Sequence, residues 1–211
     1  MSARGRNPVA MPLVWTLVGL AVVFWYVTFA LPWSIFWIKI SVAAAALAGL
    51  SLLLRPSLRE QLIFGRRAWI EGVVAAAALY GIFWLGRAAA TIILPFASEQ
   101  IGAIYARGGS FPPAAIFLLL LLVTGPAEEI FWRGFLQGRL MERYGARSGW
   151  LIASAIYAGV HLWSLNLMLV GAAAVAGLFW GWLYWRWGRL APVIISHSLW
   201  SAVIFAVAPM P

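Results

Sequence analysis

The chain has no cysteine and no aspartate, a single lysine, Lys39, and only two histidines, His161 and His197, in 211 residues. Without cysteine there are no disulfides, no thiolate metal ligands and no cysteine nucleophile. Acidic chemistry rests on six glutamates, and charged residues are only 10% of the chain against 64% hydrophobic. That balance excludes a soluble domain, which could not hide so much apolar surface. It predicts an all-α fold, a polytopic membrane helical bundle of about seven transmembrane helices at roughly 20 residues per span. Residues 1–211 are read as one integral membrane domain, with no room for a second, water-soluble one.

The net charge of +9 raises nucleic-acid binding as a possibility, but the arginines stand between apolar runs, where the positive-inside rule accounts for them. No nucleic-acid partner is expected. Arg4 and Arg6 precede a run from Met11 to Trp33 that is too long for a typical signal-peptide core, so it reads as a retained first helix. Spans are predicted at about 12–31, 34–54, 70–93, 112–139, 148–163, 165–184 and 190–207. Between the second and third, residues 55–69 read as an amphipathic segment in the headgroup region. Residues 95–113 read as a loop with at most a turn of helix. Lys39 and Arg87 are expected to snorkel outward, and Glu71 to pair with Arg67 one turn away. Gly134/Gly138 and Gly177/Gly181 are small-residue pairs of the kind that let helices approach closely.

Basic groups fall on alternate boundaries: Arg4 and Arg6, then Arg55 to Arg67, Arg139 to Arg147, and Arg186 with Arg189. The connectors at Pro32, 99–107 and Ser164 carry almost no net positive charge. Seven spans with the N-terminus cytoplasmic and the C-terminus outside, in the cell membrane, satisfy this alternation.

Against that background the stretch Thr124-Gly-Pro-Ala-Glu128-Glu129-Ile-Phe-Trp-Arg133-Gly134 is costly. A charged side chain at bilayer depth costs at least about 3 kcal/mol, so each is a functional candidate whose partner has to be named. Counting about 1.5 Å per residue from the arginine-marked ends, Glu128 lies about 16 Å in, His161 about 21 Å and His197 about 12 Å. Three different helices could therefore bring a carboxylate and two imidazoles together. Glu129 and Arg133, at i and i+4, can compensate one another on one face. Glu128 points about 100° away and is free to address another helix as a general base. Gly125-Pro126 should loosen the span, which is tolerated at membrane depth where it lines a wet cavity.

A carboxylate and two imidazoles also make a plausible zinc set, Glu128, His161 and His197, with water in the fourth position, although no HExxH spacing is present. The residues alone leave three readings open: hydrolysis by activated water, a proton or ion pathway, and histidines that merely hydrogen-bond between helices.

Glu128-Glu129-x-x-x-Arg133-Gly134, then Tyr157-x-x-x-His161, then His197-x-x-x-Ser201 resembles the three-motif signature of the CPBP family. These are the CAAX-protease and bacteriocin-processing (Abi-type) intramembrane endopeptidases. Leu183 to Pro192, just before His197, is also similar to that family, and the likeness lies within 126–201. It implies an all-helical membrane endopeptidase with a cavity open toward the cytoplasm. In it Glu128 would be the base, Glu129 and Arg133 its support, and His161 and His197 the water-binding or metal-binding pair. Two positions depart from the pattern. Tyr157 stands where phenylalanine is usual, and Ser201 where asparagine is usual. Such an asparagine would donate to the oxyanion, an interaction whose removal costs about 3 to 4 kcal/mol; serine is a shorter donor with one proton.

The function expected is an intramembrane endopeptidase that cleaves a peptide or protein, lipidated or membrane-associated, near the cytoplasmic face. Zinc or another divalent metal, or water alone, would suit the Glu/His/His set. The alternative is a non-proteolytic membrane protein: a proton-coupled carrier, or a catalytically silent immunity or scaffold relative. A carrier should show related halves with matching helix breaks, and only Gly125-Pro126 is a clear break.

Overall fold

The structure, a computed structural model, describes residues 9–107, 109 and 111–210; Arg4 and Arg6, used above for orientation, lie outside them. All regular structure among the described residues is helical. The helices are α1 (Met11–Ala30), α2 (Phe36–Leu54), α3 (Arg66–Ile93), α4 (Ala97–Ala106), α5 (Pro113–Tyr144), α6 (Ala146–Val160), α7 (Leu167–Trp187) and α8 (Ala191–Val207). Five of them, α1, α2, α3, α5 and α7, are long and apolar enough to cross a membrane; α8 is apolar but shorter, and α6 has 15 residues. With α4 set aside, the remaining seven stand where seven spans are predicted. The chain is a polytopic helical bundle.

Each long helix buries one stripe and leaves the rest of its apolar surface facing outward, as a bilayer solvent allows. On α1 the stripe is Val14, Leu17, Ala21, Trp25 and Thr28, spaced at three and four residues. On α3 it is made of small residues, Ala68, Gly72, Ala75 and Ala76, and ends at Leu79. These let α3 lie directly on α8: a Cβ at Gly72 would sit 2.6 Å from Ile195. Beyond Leu79 the stripe stops, and Ile82, Phe83, Gly86 and Arg87 border a cavity instead.

Helix α5 is not uniformly α-helical. Two π-helical stretches, Leu120–Thr124 and Ile130–Gln137, flank Gly125–Glu129. Pro126 has no N–H to give the ladder, and the Gly125 N–H just before it reaches back five residues to the Leu120 carbonyl. The loosening expected at Gly125-Pro126 thus takes the form of widened turns, which recur at functional sites. At Gly125 the backbones of α5 and α8 touch; a Cβ there would lie 2.8 Å from Ser198 Cα and 2.9 Å from Leu120 O.

The two ends of the bundle differ in chemistry. At one, Arg55 bonds the Gly134 carbonyl at 3.2 Å and, with Arg139, pairs with Glu142. There too Glu71 pairs with Arg67 at 2.8 Å and Arg189 at 2.5 Å, and Tyr184 donates to Gln61 at 3.0 Å. The opposite end is closed by neutral polar groups and few charges. Arg107 donates to the Ser164 carbonyl at 3.2 Å with its guanidinium over the Phe29 ring, and Asn166 donates to the Gln100 carbonyl at 2.8 Å.

Three local expectations are corrected. Residues 97–106 form three turns of helix, because Ala97 and Ile101 make a buried i, i+4 pair that a reading dominated by glycine and proline passes over. Residues 55–69 are a 3-10 turn, Pro56–Gln61, with Leu58 fully buried, followed by the start of α3 at Arg66. Lys39 does not snorkel outward. It is buried, and its Nζ donates to the Leu31 and Val27 carbonyls, satisfying the frayed end of α1.

Gly125→Ala is expected to destabilise the protein by about 1–3 kcal/mol, the usual cost of overpacking, because beside the Ser198 hydroxyl two of the three nearest atoms are backbone and cannot swing away. Denaturant or thermal unfolding in micelles measures it, and an unchanged midpoint would refute the close-approach reading.

Candidate active site

Glu128 and Glu129 are adjacent on α5 but face different surroundings. Glu129 is fully buried, and its Oε1 accepts from Arg133 Nη1 at 2.8 Å and from His197 Nδ1 on α8 at 2.6 Å. Arg133 is itself held between the rings of Tyr157 and Trp180, its guanidinium carbon 4.6 and 5.4 Å from their centroids. A second guanidinium nitrogen reaches the Gly177 carbonyl at 3.5 Å. Glu129 thus ties α5 to α8, and through Arg133 to α6 and α7. The sequence reading has Arg133 as the partner of Glu129; the structure adds His197.

The bond to Glu129 also orients His197. A carboxylate oxygen that accepts puts the hydrogen on Nδ1, and in the neutral ring Nε2 then keeps the lone pair. The ring lies flat on Trp180, centroids 3.8 Å apart at 17°. Trp180 is in turn fixed by its indole N–H to Ser196 Oγ at 3.1 Å. His161 reaches the same tautomer by a different route: its Nδ1 donates to the Tyr157 carbonyl at 2.7 Å. Its Nε2 faces the Trp25 indole N–H at 3.5 Å, a bond at the limit of length. In both neutral imidazoles Nε2 is therefore the acceptor nitrogen, and that of His161 already accepts the long bond from Trp25.

Glu128, His161, His197 and Ser201 all line one cavity of about 470 Å³. Tyr157 lines it too and donates its hydroxyl to Glu128 Oε2 at 3.1 Å. Glu129 and Arg133 do not line it; they stand behind. Four of the six candidates thus share one cavity, and the other two brace it. Tyr157 gains a contact that phenylalanine would lack. Trp180 and Trp25 were not singled out from sequence. Nothing in a run of fourteen tryptophans distinguishes the ones that touch histidine from those that only pack.

The lining also has a direction. Apart from the residues named, it comes from the last turn of α1 and first turn of α2 (Phe29, Phe36), from the second half of α3, from α4, from the first half of α7 and from the end of α8. Leu120 and Thr124 of α5 and Arg107 complete it, and none comes from the connectors that carry Arg55 to Arg67, Arg139 to Arg147, or Arg186 and Arg189.

A zinc ion would need three of these donors together. Among the described residues no three histidine or acidic side chains are grouped so as to hold a metal ion. Glu128 Oε2 is engaged by Tyr157, and with both Nδ1 atoms engaged each ring has only Nε2 to offer. No step below passes through a metal.

Arg133→Ala would leave Glu129 buried with only His197 for compensation. Removing one member of a buried pair typically costs about 3–5 kcal/mol, and unfolding measurements should show a loss of that order. Glu129→Gln in the Arg133→Ala background should recover much of it, which a simple cavity effect would not allow.

Residues 110–203, from just before α5 into α8, match the family model described as Rce1-like, type II CAAX prenyl endopeptidase Rce1-like. No curated protein and no solved structure matches the chain. The match takes in all six candidate residues and leaves α1 to α4, with Trp25, outside. Over residues 110–203 this membrane chain is therefore similar to the Rce1-like type II CAAX prenyl endopeptidases.

Proposed function

We propose that the chain is an intramembrane endopeptidase in which Glu128 is the general base and His161 and His197 hold the attacking water. The observation that carries this reading is that residues from α5, α6 and α8, far apart in sequence, share the wall of one cavity at mid-bundle depth. The likeness of residues 110–203 to the Rce1-like family supports a protease that acts on peptide in a lipid environment.

Water donates to Nε2 of His197 and, in place of the long Trp25 bond, to Nε2 of His161, which orients its oxygen toward a peptide carbonyl. As that oxygen attacks the carbonyl carbon, one water proton passes to the Glu128 carboxylate. The oxyanion of the tetrahedral intermediate accepts from Ser201, one turn beyond His197 and buried at the cavity wall. The C–N bond then breaks, and the protonated Glu128 returns its proton to the leaving amine. Tyr157, on Glu128 Oε2, orients the carboxylate throughout. Glu129 and Arg133 act through His197 by fixing its ring and tautomer.

The test is cleavage of a peptide library by purified protein, with metal content measured and chelator added in parallel. Glu128→Ala should lower turnover by about 10²–10⁴-fold, and His161→Ala and His197→Ala should each cause a comparable loss. Cleavage indifferent to Glu128→Ala would sink the mechanism, and chelator-sensitive cleavage with stoichiometric metal would replace it with a metal-dependent one. Ser201→Ala should cost about 10²-fold in kcat, as for other oxyanion donors, whereas Ser201→Asn should retain activity.

A further inference from the structure

We propose that a second cavity, at the turn between α1 and α2, binds the phosphodiester of an anionic phospholipid through Lys39 and Arg107. Nothing in this depends on the peptidase reading.

The cavity, of about 640 Å³, lies between the α1–α2 connector and the segment that follows α4. Lys39 and Arg107 are its two charged residues, and no acidic side chain lines it. Among the described residues neither cation forms an ion pair with a carboxylate. Backbone carbonyls anchor them instead. The Lys39 ammonium donates to Leu31 at 2.5 Å and to Val27 at 3.4 Å, and the Arg107 guanidinium donates to Ser164 at 3.2 Å. Phe29 and Phe36 flank the guanidinium, its carbon 5.3 and 5.8 Å from their ring centroids. These contacts hold two positive groups at one cavity without neutralising them.

The charge left over can be bounded. A helix C-terminus supplies about half a negative charge. Lys39 meets the end of α1, whereas Arg107 meets the 3-10 turn His161–Ser164, whose four residues are too few to supply as much. At least about one positive charge therefore remains, on two groups that repel one another. Lys39 is buried, and an ionised group in a membrane bundle calls for a partner. Donors remain as well: an ammonium has three and a guanidinium five, and the carbonyls take two of the first and one of the second. A planar fork beside a point charge matches the oxygens of a phosphate, and a phosphodiester carries the single negative charge that is missing.

The surroundings select a lipid as its source. Leu31 and Ile35 line the cavity and are exposed, and Trp33 between them is 68% exposed. Nearby on α1, Tyr26 stacks on Trp163 at 5.0 Å, both rings also outward. Exposed aromatics of this kind sit at headgroup level, which puts the mouth of the cavity at the depth of lipid phosphates and leaves Leu31 and Ile35 for acyl chains to lie against. The volume suits a small molecule: a lone ion would leave most of it empty, whereas a phosphate with its glycerol fills it. Phe29, Phe36 and Arg107 border both this cavity and that of Glu128, and the Phe29 ring lies 5.7 Å from that of His161. A phosphate held by Arg107 thus sits against the partition between the two cavities.

The test uses the whole chain purified in detergent. It is titrated with dioleoyl phosphatidylglycerol, dioleoyl phosphatidylcholine, inorganic phosphate, and a peptide with a free C-terminal carboxylate. Native mass spectrometry reads adducts and thermal unfolding reads the midpoint. Phosphatidylglycerol should form a one-to-one adduct, bind more tightly than phosphatidylcholine and raise the midpoint. Arg107→Gln should weaken that binding about tenfold or more, the loss of a charge-assisted bond, and Arg107→Lys by less. Ser34→Glu, at an exposed position on the lining, should abolish the preference for the anionic lipid even if Arg107→Gln fails to fold. Arg147→Gln, exposed at the other end of the bundle, should leave it intact. Equal binding of the two lipids, or equal losses in Arg147→Gln and Arg107→Gln, would overturn the inference. So would a midpoint raised as much by inorganic phosphate, or an Arg107-dependent adduct with the peptide in place of the lipid.

Discussion

The Glu129 carboxylate, fully buried and shared between Arg133 and His197, is the constraint on which the rest of the site depends. A lone carboxylate at that depth would cost far more than the fold can supply. Its compensation requires one cation a turn away on its own helix and one ring from another helix. Satisfying it sets the rotation of α5 and the separation of α5 from α8. It also sets the position of Arg133, whose remaining surfaces are covered by Tyr157 and Trp180. Those two rings then define where Glu128 and His197 can stand, because Tyr157 donates to one and Trp180 stacks on the other. Removal of the pair would leave no reason for these rings to meet.

Adjacency of the two glutamates follows from the same geometry. Neighbours on a helix diverge by about 100°, so one carboxylate can be locked in the protein while the next faces a cavity. The lock can be perfect only if the facing residue is free of it, and the structure keeps the two functions separate: Glu129 and Arg133 stand outside the cavity lining, Glu128 within it. The π-helical turns on either side of Gly125–Glu129 contribute by shifting the register of α5 between its lipid-facing start and its fully buried centre. Residues Ile130 to Leu140 are all buried, a continuity that a regular α-helix with one lipid face would not give.

Legibility in the sequence followed the physics of each feature. Helices that must cross lipid need long apolar runs bounded by charge or proline, and their approximate limits could be read directly. Charged residues in those runs stand out because they are expensive, so Glu128, Glu129, Arg133, His161 and His197 could be picked out one by one. Helix α4 was not, since its ten residues need neither length nor apolarity; two buried contacts hold it. Lys39 looked peripheral by position, yet a lysine can as well turn back to open carbonyls as outward to water. The tie between Glu129 and His197 spans 68 positions and has no local signature, and Trp25 and Trp180 are lost among similar residues. Direction was the hardest feature, for a cavity is what neighbouring helices fail to fill, and no residue encodes it alone.

That failure to fill has a physical pattern here. Along α3 the residues that permit contact, alanine and glycine, occupy the half near the arginines, and beyond Leu79 its side chains border the cavity instead of α8. Helix α6 ends early on the same side. A hydrolytic site at mid-depth needs water and a substrate backbone, and both carry polar groups that hydrocarbon does not accept. They must arrive through protein-lined space connected to one face, while the opposite half supplies stability. The dense half coincides with the ion pairs of Glu71 and Glu142, which bind α2, α3, α5 and the start of α8 into one unit. The site sits at the boundary, with Glu129 and Arg133 at the top of the packed half and Glu128 at the floor of the open one. An acid that must exchange protons with water and an ion pair that must be kept from it can be adjacent in sequence only at such a boundary.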